Sequence, residues 1–127
     1  MTRFVLASDA DSDALARVLD GIEAAAGGGG LPAETVDRVV LVAGELLSNA
    51  VEHGTEPVTA WWEATPDGGR LVLSGEGRPD AGWILGAALP DADATRGRGL
   101  FLVRELTDGL EDTQGNLAVT FSARKIE

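Results

Sequence analysis

The chain has no cysteine, and only ten lysines and arginines in 127 residues. Without thiols it can form neither disulfides nor thiolate metal sites, and the expected location is cytoplasmic. The few basic residues stand against 21 Asp and Glu, a formal net charge of −11. A surface of that sign repels DNA, RNA and anionic lipid, so neither nucleic acid nor a membrane is an expected partner. The charge can instead attract a basic protein, or simply keep the domain in solution. Long apolar runs are missing too. The longest, Val39 to Ala43, is soon broken by Glu45, far short of the roughly 20 residues that span a bilayer. Phe4 to Ala7 is too short for the apolar stretch of a signal peptide. With 44% hydrophobic residues, a single domain over 1–127 can bury a real core.

The patterning alternates between two periods. Arg3 to Ala7 reads as a first strand. Asp9 or Asp11 can cap a helix over Ser12 to Ala26, where Leu15, Val18, Leu19 and Ile22 keep helical spacing, and Gly27 to Gly30 end it. No Gly-Lys-Ser/Thr follows those glycines, so they are no Walker-type phosphate loop. Pro32 suits the first turn of a second helix running to His53. Its core face is expected at Val36, Val40, Ala43, Leu47 and Ala50, widened by Val39, Leu46 and Val51, with Gly54 as the C′ glycine. Val58 to Thr65 and Arg70 to Ser74 read as a hairpin around Pro66-Asp-Gly-Gly69. Asp80 to Arg96 is weakly patterned and reads as a mobile segment holding one helical turn. A short helix over Gly99 to Leu106 and a hairpin turning at Gln114-Gly-Asn116 complete the chain. The sum is α+β: a two-layer sandwich of a mostly antiparallel sheet with helices on one face.

Three constellations bear chemistry. In Glu45-Leu-Leu-Ser-Asn49-Ala-Val-Glu-His53-Gly54, a carboxylate, an amide and an imidazole recur every four residues and so share one helix face. A carboxylate can take a proton from an attacking hydroxyl. An amide oxygen suits Mg²⁺, which prefers oxygen ligands and keeps much of its water. In Arg96-Gly-Arg98-Gly99-Leu100, two glycines open a helix whose N-terminal N–H groups can meet an anion, flanked by two guanidinium groups. Gly75-Glu-Gly77 ends a strand at a turn able to approach a flat ligand. Each has a plainer reading: a solvated helix face, a basic loop before a helix, a strand-ending turn. Trp61 and Trp62, adjacent on a strand, must point to opposite faces, one of them into the core. Trp83 falls in the weakly patterned segment, as an anchor, a partner contact or simple packing.

Taken in order, these motifs resemble the GHKL (histidine-kinase-like) ATPase superfamily, and most closely its anti-sigma-factor serine/threonine kinase branch. The likeness covers nearly the whole chain. Glu45-x3-Asn49-x3-His53-Gly54 is similar to the N box, and Gly97-x-Gly99-Leu100-x-Leu102-Val103 to the G2 box. The resemblance implies the histidine-kinase-like ATPase fold, with an ATP–Mg²⁺ site between the second helix and the sheet. Asn49 would hold Mg²⁺, and Glu45 would be the base that activates a substrate serine. Arg78 to Arg98 would be the ATP lid. Gly97, Gly99 and Leu100 would cradle phosphate, with Arg96 and Arg98 adding charge there. His53, Ser74, Gly75 and Gly77 would line the nucleotide. The implied partners are an anti-anti-sigma protein and a sigma factor, and many members are homodimers. One position departs from the pattern. Where the family's G1 box carries the Asp that bonds the adenine amino group, this chain has Leu73, or Ser74 in a register shifted by one. Neither is a carboxylate, so the alternative is a degenerate GHKL-fold regulator that works by protein contact with weak or no ATP binding.

Overall fold

The computed structural model describes residues 1–86 and 98–123, the side chain of residue 98 excepted. Strand β1 (Arg3–Leu6) leads into helix α1 (Ser12–Gly28) and the long helix α2 (Ala33–His53). A hairpin, β2 (Val58–Thr65) and β3 (Gly68–Ser74), is followed by a short helix α3 (Ala81–Leu85). Helix α4 (Arg98–Leu106) and a second hairpin, β4 (Gly109–Thr113) and β5 (Asn116–Ser122), close the order. The strands form a five-stranded sheet, β1-β2-β3-β5-β4, antiparallel at every pairing. The two-layer α+β architecture expected from the sequence is therefore the one observed.

Strand alternation fixes which residues meet the helices. Ala60, Trp62, Leu71, Leu73, Leu117, Val119 and Phe121 point inward and join Val39, Val42, Leu46 and Leu47 of α2 in one core. Trp61, Val72 and Ala118 sit on the opposite face in a smaller cluster of their own. Among the described residues no second layer of helices covers that cluster; a polar strap does. The Arg3 guanidinium lies 4.2 Å from the centre of the Trp61 ring. The Trp61 indole N–H donates to Glu63 at 3.3 Å, Arg70 donates to the other Glu63 oxygen at 2.8 Å, and Glu111 stands 3.7 Å from Arg70. Such half-exposed pairs contribute about 0–1 kcal/mol each. Their main effect is to keep an indole dry on an otherwise open sheet face.

Several boundaries differ from the sequence reading, each for a local reason. Asp11, not Asp9, caps α1, accepting from the Ala14 N–H at 2.9 Å. The helix runs on through two glycines to Gly28, because the Gly29 N–H satisfies the carbonyls of Ala26 and Gly27. Pro32 is the cap of α2 rather than its first turn. The first glycine of the β2–β3 turn begins β3, with φ +156 at Gly68. Val36 and Val40 are half-buried, and the fully buried set on α2 is Thr35, Val39, Val42, Ala43, Leu46, Leu47 and Ala50. The centre of the face is rotated toward the sheet. Val36, Val40 and Val51 lie on the shoulder that meets α1, where a Cβ on Gly44 would sit 3.6 Å from Leu19. The other shoulder carries Glu45 and Asn49. No helix among the described residues is long and apolar enough to cross a membrane.

Candidate functional site

Helix α2 presents the expected stripe on the shoulder away from α1. Glu45 and Asn49 are half-buried, and His53 is exposed in the last turn. Asn49 has its side-chain oxygen Oδ1 fully buried with no hydrogen-bond partner among the described residues. A buried amide oxygen left unpaired costs about 1–3 kcal/mol. An oxygen held this way is suited to a ligand that completes it.

Three segments distant in sequence close on the stripe. The first is the turn after β3. A Cβ at Gly77 would collide with the Ala50 carbonyl oxygen and fall 2.6 Å from the Gly54 Cα and 2.8 Å from its N. A Cβ at Gly54 would sit 2.7 Å from the Ala50 oxygen and 3.0 Å from the Gly77 Cα. These two glycines therefore lie backbone against backbone. Gly54 ends α2 as expected, but as the cap residue itself rather than the C′ position. Its φ is −101 and ψ 156, an ordinary extended conformation, so contact rather than handedness calls for glycine there. Gly75 does need its freedom, with φ +141. Its carbonyl takes the Arg78 N–H at 3.3 Å and the Arg78 guanidinium at 3.0 Å, which tightens the turn.

The second segment is the start of α4. Gly99 lies directly against the Glu45 carboxylate, and a Cβ there would strike Oε2. Leu100 and Val103 are buried and anchor the helix in the core. The G2-type glycine is thus beside the N-box-type glutamate, although 54 positions separate them in the sequence numbering (99 − 45). Arg96 and Gly97 lie outside the described residues, as does the side chain of Arg98 and most of the segment expected to be a lid.

The third segment is α3. Asp80 caps it by accepting from the Trp83 N–H at 2.7 Å, and Asp112 of β4 takes the Ala81 N–H at 3.0 and 3.2 Å. Ala81 and Ile84 are buried, while Trp83 stays 49% exposed with its ring edge-on to His53, centroids 5.7 Å apart. Asp112 has no counterpart in the sequence reading. A carboxylate at an inward position of an edge strand was the available signal. Of the carboxylates that follow the G1-like position, Asp80 is committed to this cap and Glu76 is exposed.

Leu73 is fully buried and pairs across to Ala60 and Leu117, inside the core. Ser74 shares the strand face of Val72, away from the helices, opposite Thr59. The structure thus brings Gly99 against Glu45, with Leu100 buried behind it, and Gly77 against the end of the helix that carries Asn49 and His53, while Gly75 faces Pro57 and Val58 and Ser74 turns to the other sheet face.

The glycine contact is open to test. Gly77→Ala must push apart backbone atoms, which have no rotamer to yield. We expect a loss of about 1–3 kcal/mol, read as a lower urea midpoint with an unchanged slope.

An acid, an orphaned amide oxygen and two close glycine approaches thus lie along one shoulder of a helix packed over an antiparallel sheet. Residues 8–123 match the family model of the histidine kinase-like ATPase domain, and the chain belongs to that family. No curated protein matches it.

Proposed function

We propose that the chain is an anti-sigma-factor-type serine/threonine protein kinase that binds Mg²⁺–ATP, phosphorylates an anti-anti-sigma partner and sequesters a sigma factor. The observation that carries this reading is the unpartnered, buried Asn49 Oδ1, with Glu45 one turn before it and Gly99 against that glutamate. An oxygen donor without competing bonds fits a hard cation, which would take its remaining ligands from water and phosphate. Bound there with the nucleotide, Mg²⁺ would neutralise phosphate charge. Glu45 would accept the proton of the substrate serine as its Oγ bonds to the γ-phosphorus and the bond to ADP breaks. The close approach at Gly99 keeps that space free of a side chain. Arg96, Gly97, Arg98, Gly99 and Leu100 would hold the phosphates, and His53, Gly75 and Gly77 the rest of the nucleotide. A single cytoplasmic domain over 1–127, pairing as a homodimer, goes with this reading.

Buried Leu73 favours a second reading, a regulator with the same fold that acts by protein contact and binds ATP weakly or not at all. The two separate in one series. Calorimetry with Mg²⁺–ATP should give micromolar affinity for the kinase, and then acid-stable phosphate should pass from ATP to a serine of the anti-anti-sigma protein. Folded protein with no ATP binding would leave only the second reading. ATP binding without transfer would sink the kinase assignment, and acid-labile phosphate would mark a histidine acceptor instead.

A further inference from the structure

The stripe on α2 has two ends with different chemistry. Glu45 meets the α4 start at Gly99, and His53 meets Trp83. Eight residues of helix separate the two ends, about 12 Å at the usual rise. That is comparable with the reach from the γ-phosphate to the base of an extended nucleoside triphosphate. The phosphate-type features lie at one end and at Asn49, and a flat aromatic feature lies at the other.

That aromatic end is built rather than incidental. Helix α3 has five residues, too short to be stable alone. It is held by two carboxylates, Asp80 on the Trp83 N–H and Asp112 on the Ala81 N–H, and by the buried side chains of Ala81 and Ile84. The Gly86 N–H closes its far end onto the Gly82 carbonyl at 2.9 Å. Yet its largest side chain stays 49% exposed. The His53 and Trp83 rings meet edge-on at 64°, and both side chains are exposed.

We propose that Trp83, with His53 beside it, is the base-binding ledge of this site. It takes the purine of a nucleoside triphosphate by stacking, in place of a carboxylate bonded to the adenine amino group. The inference rests on the nucleotide-site reading above and names the residue that recognises the base. It has a consequence for specificity. Every base offers a π-face, so stacking holds without hydrogen-bond readout. With Leu73 buried among Ala60 and Leu117, no carboxylate at that strand position tells adenine from guanine. The site accepts ATP and GTP alike.

Calorimetry on the full chain tests this with three probes, Mg²⁺–ATP, Mg²⁺–GTP and Mg²⁺–tripolyphosphate. For the wild type, ATP and GTP affinities should lie within about ten-fold of each other. Trp83→Ala should weaken both nucleotides about ten-fold, and Trp83→Phe should keep them within about three-fold of wild type. Tripolyphosphate, which has no base, should bind all three proteins equally, and this also reports that the variants fold. ATP binding unchanged in Trp83→Ala overturns the ledge alone, as does equal loss of tripolyphosphate or strong preference for ATP over GTP. A wild-type protein that binds no nucleotide overturns both the ledge and the reading beneath it.

Discussion

Glu45→Ala is expected to lower phosphoryl transfer to a partner serine by about 10²–10⁴-fold, the usual contribution of a positioned general base. ATP affinity should change little, because the glutamate acts on the attacking hydroxyl and not on the nucleotide. Stability should also hold. No hydrogen bond or ion pair of Glu45 appears among the described residues, and the side chain is only half-buried beside Gly99. Steady-state transfer to the anti-anti-sigma protein, measured alongside calorimetry with Mg²⁺–ATP, separates the effects. Transfer retained at the wild-type rate would remove Glu45 from the role of base. Loss of ATP binding with it would make the residue a binding group instead.

The second large effect concerns the position where the family carries its adenine-binding Asp. Restoring that residue by Leu73→Asp is expected to unfold the protein rather than improve it. Leu73 is fully buried on the inward face of β3, between Ala60 and Leu117. The substitution removes a packed side chain and buries an unpaired carboxylate, a combined cost of about 4 kcal/mol or more. A loss of that size or larger is enough to unfold a domain at the lower end of the typical total of about 5–15 kcal/mol. Urea unfolding followed by circular dichroism reads this directly. A stable Leu73→Asp protein with tighter ATP binding would show that the position opens onto the nucleotide after all.

Much of this architecture was legible in the sequence, because it depends on local periodicity. The neighbours Trp61 and Trp62 had to part to opposite faces, and they do. The Glu45, Asn49 and His53 spacing had to align on a helix, and it does. What the sequence hid depends on contacts between remote segments. A single-stripe reading of α2 favoured Val36 and Val40. The helix in fact sits on the sheet with α1 along one shoulder, so its buried arc turns toward Val39, Val42 and Leu46. Gly54 looked like a helix stop and is one, but the sequence did not show that it packs against Gly77, in the turn after β3. Asp112 supports α3 from a strand 31 residues away, and no periodicity marks such a pairing. The placement of Glu45, Asn49 and His53 on one helix was readable from spacing; the approach of Gly77 and Gly99 to that helix was not. Ser74 illustrates the limit, since one step of strand register decides whether it faces the helices.

The contact between Gly77 and the backbone of Ala50 and Gly54 also sets where this molecule can adapt. Side chains accommodate a guest by changing rotamer, and here neither partner has one. The wall formed by the end of α2 and the turn after β3 is thus a fixed template, with the same shape before and after a ligand arrives. Adjustment falls to the Trp83 indole and the Glu45 carboxylate, which have side-chain torsions to change. Ligand-induced shifts in a spectrum of this protein should therefore concentrate on those two groups and leave the Gly54 and Gly77 amides nearly still.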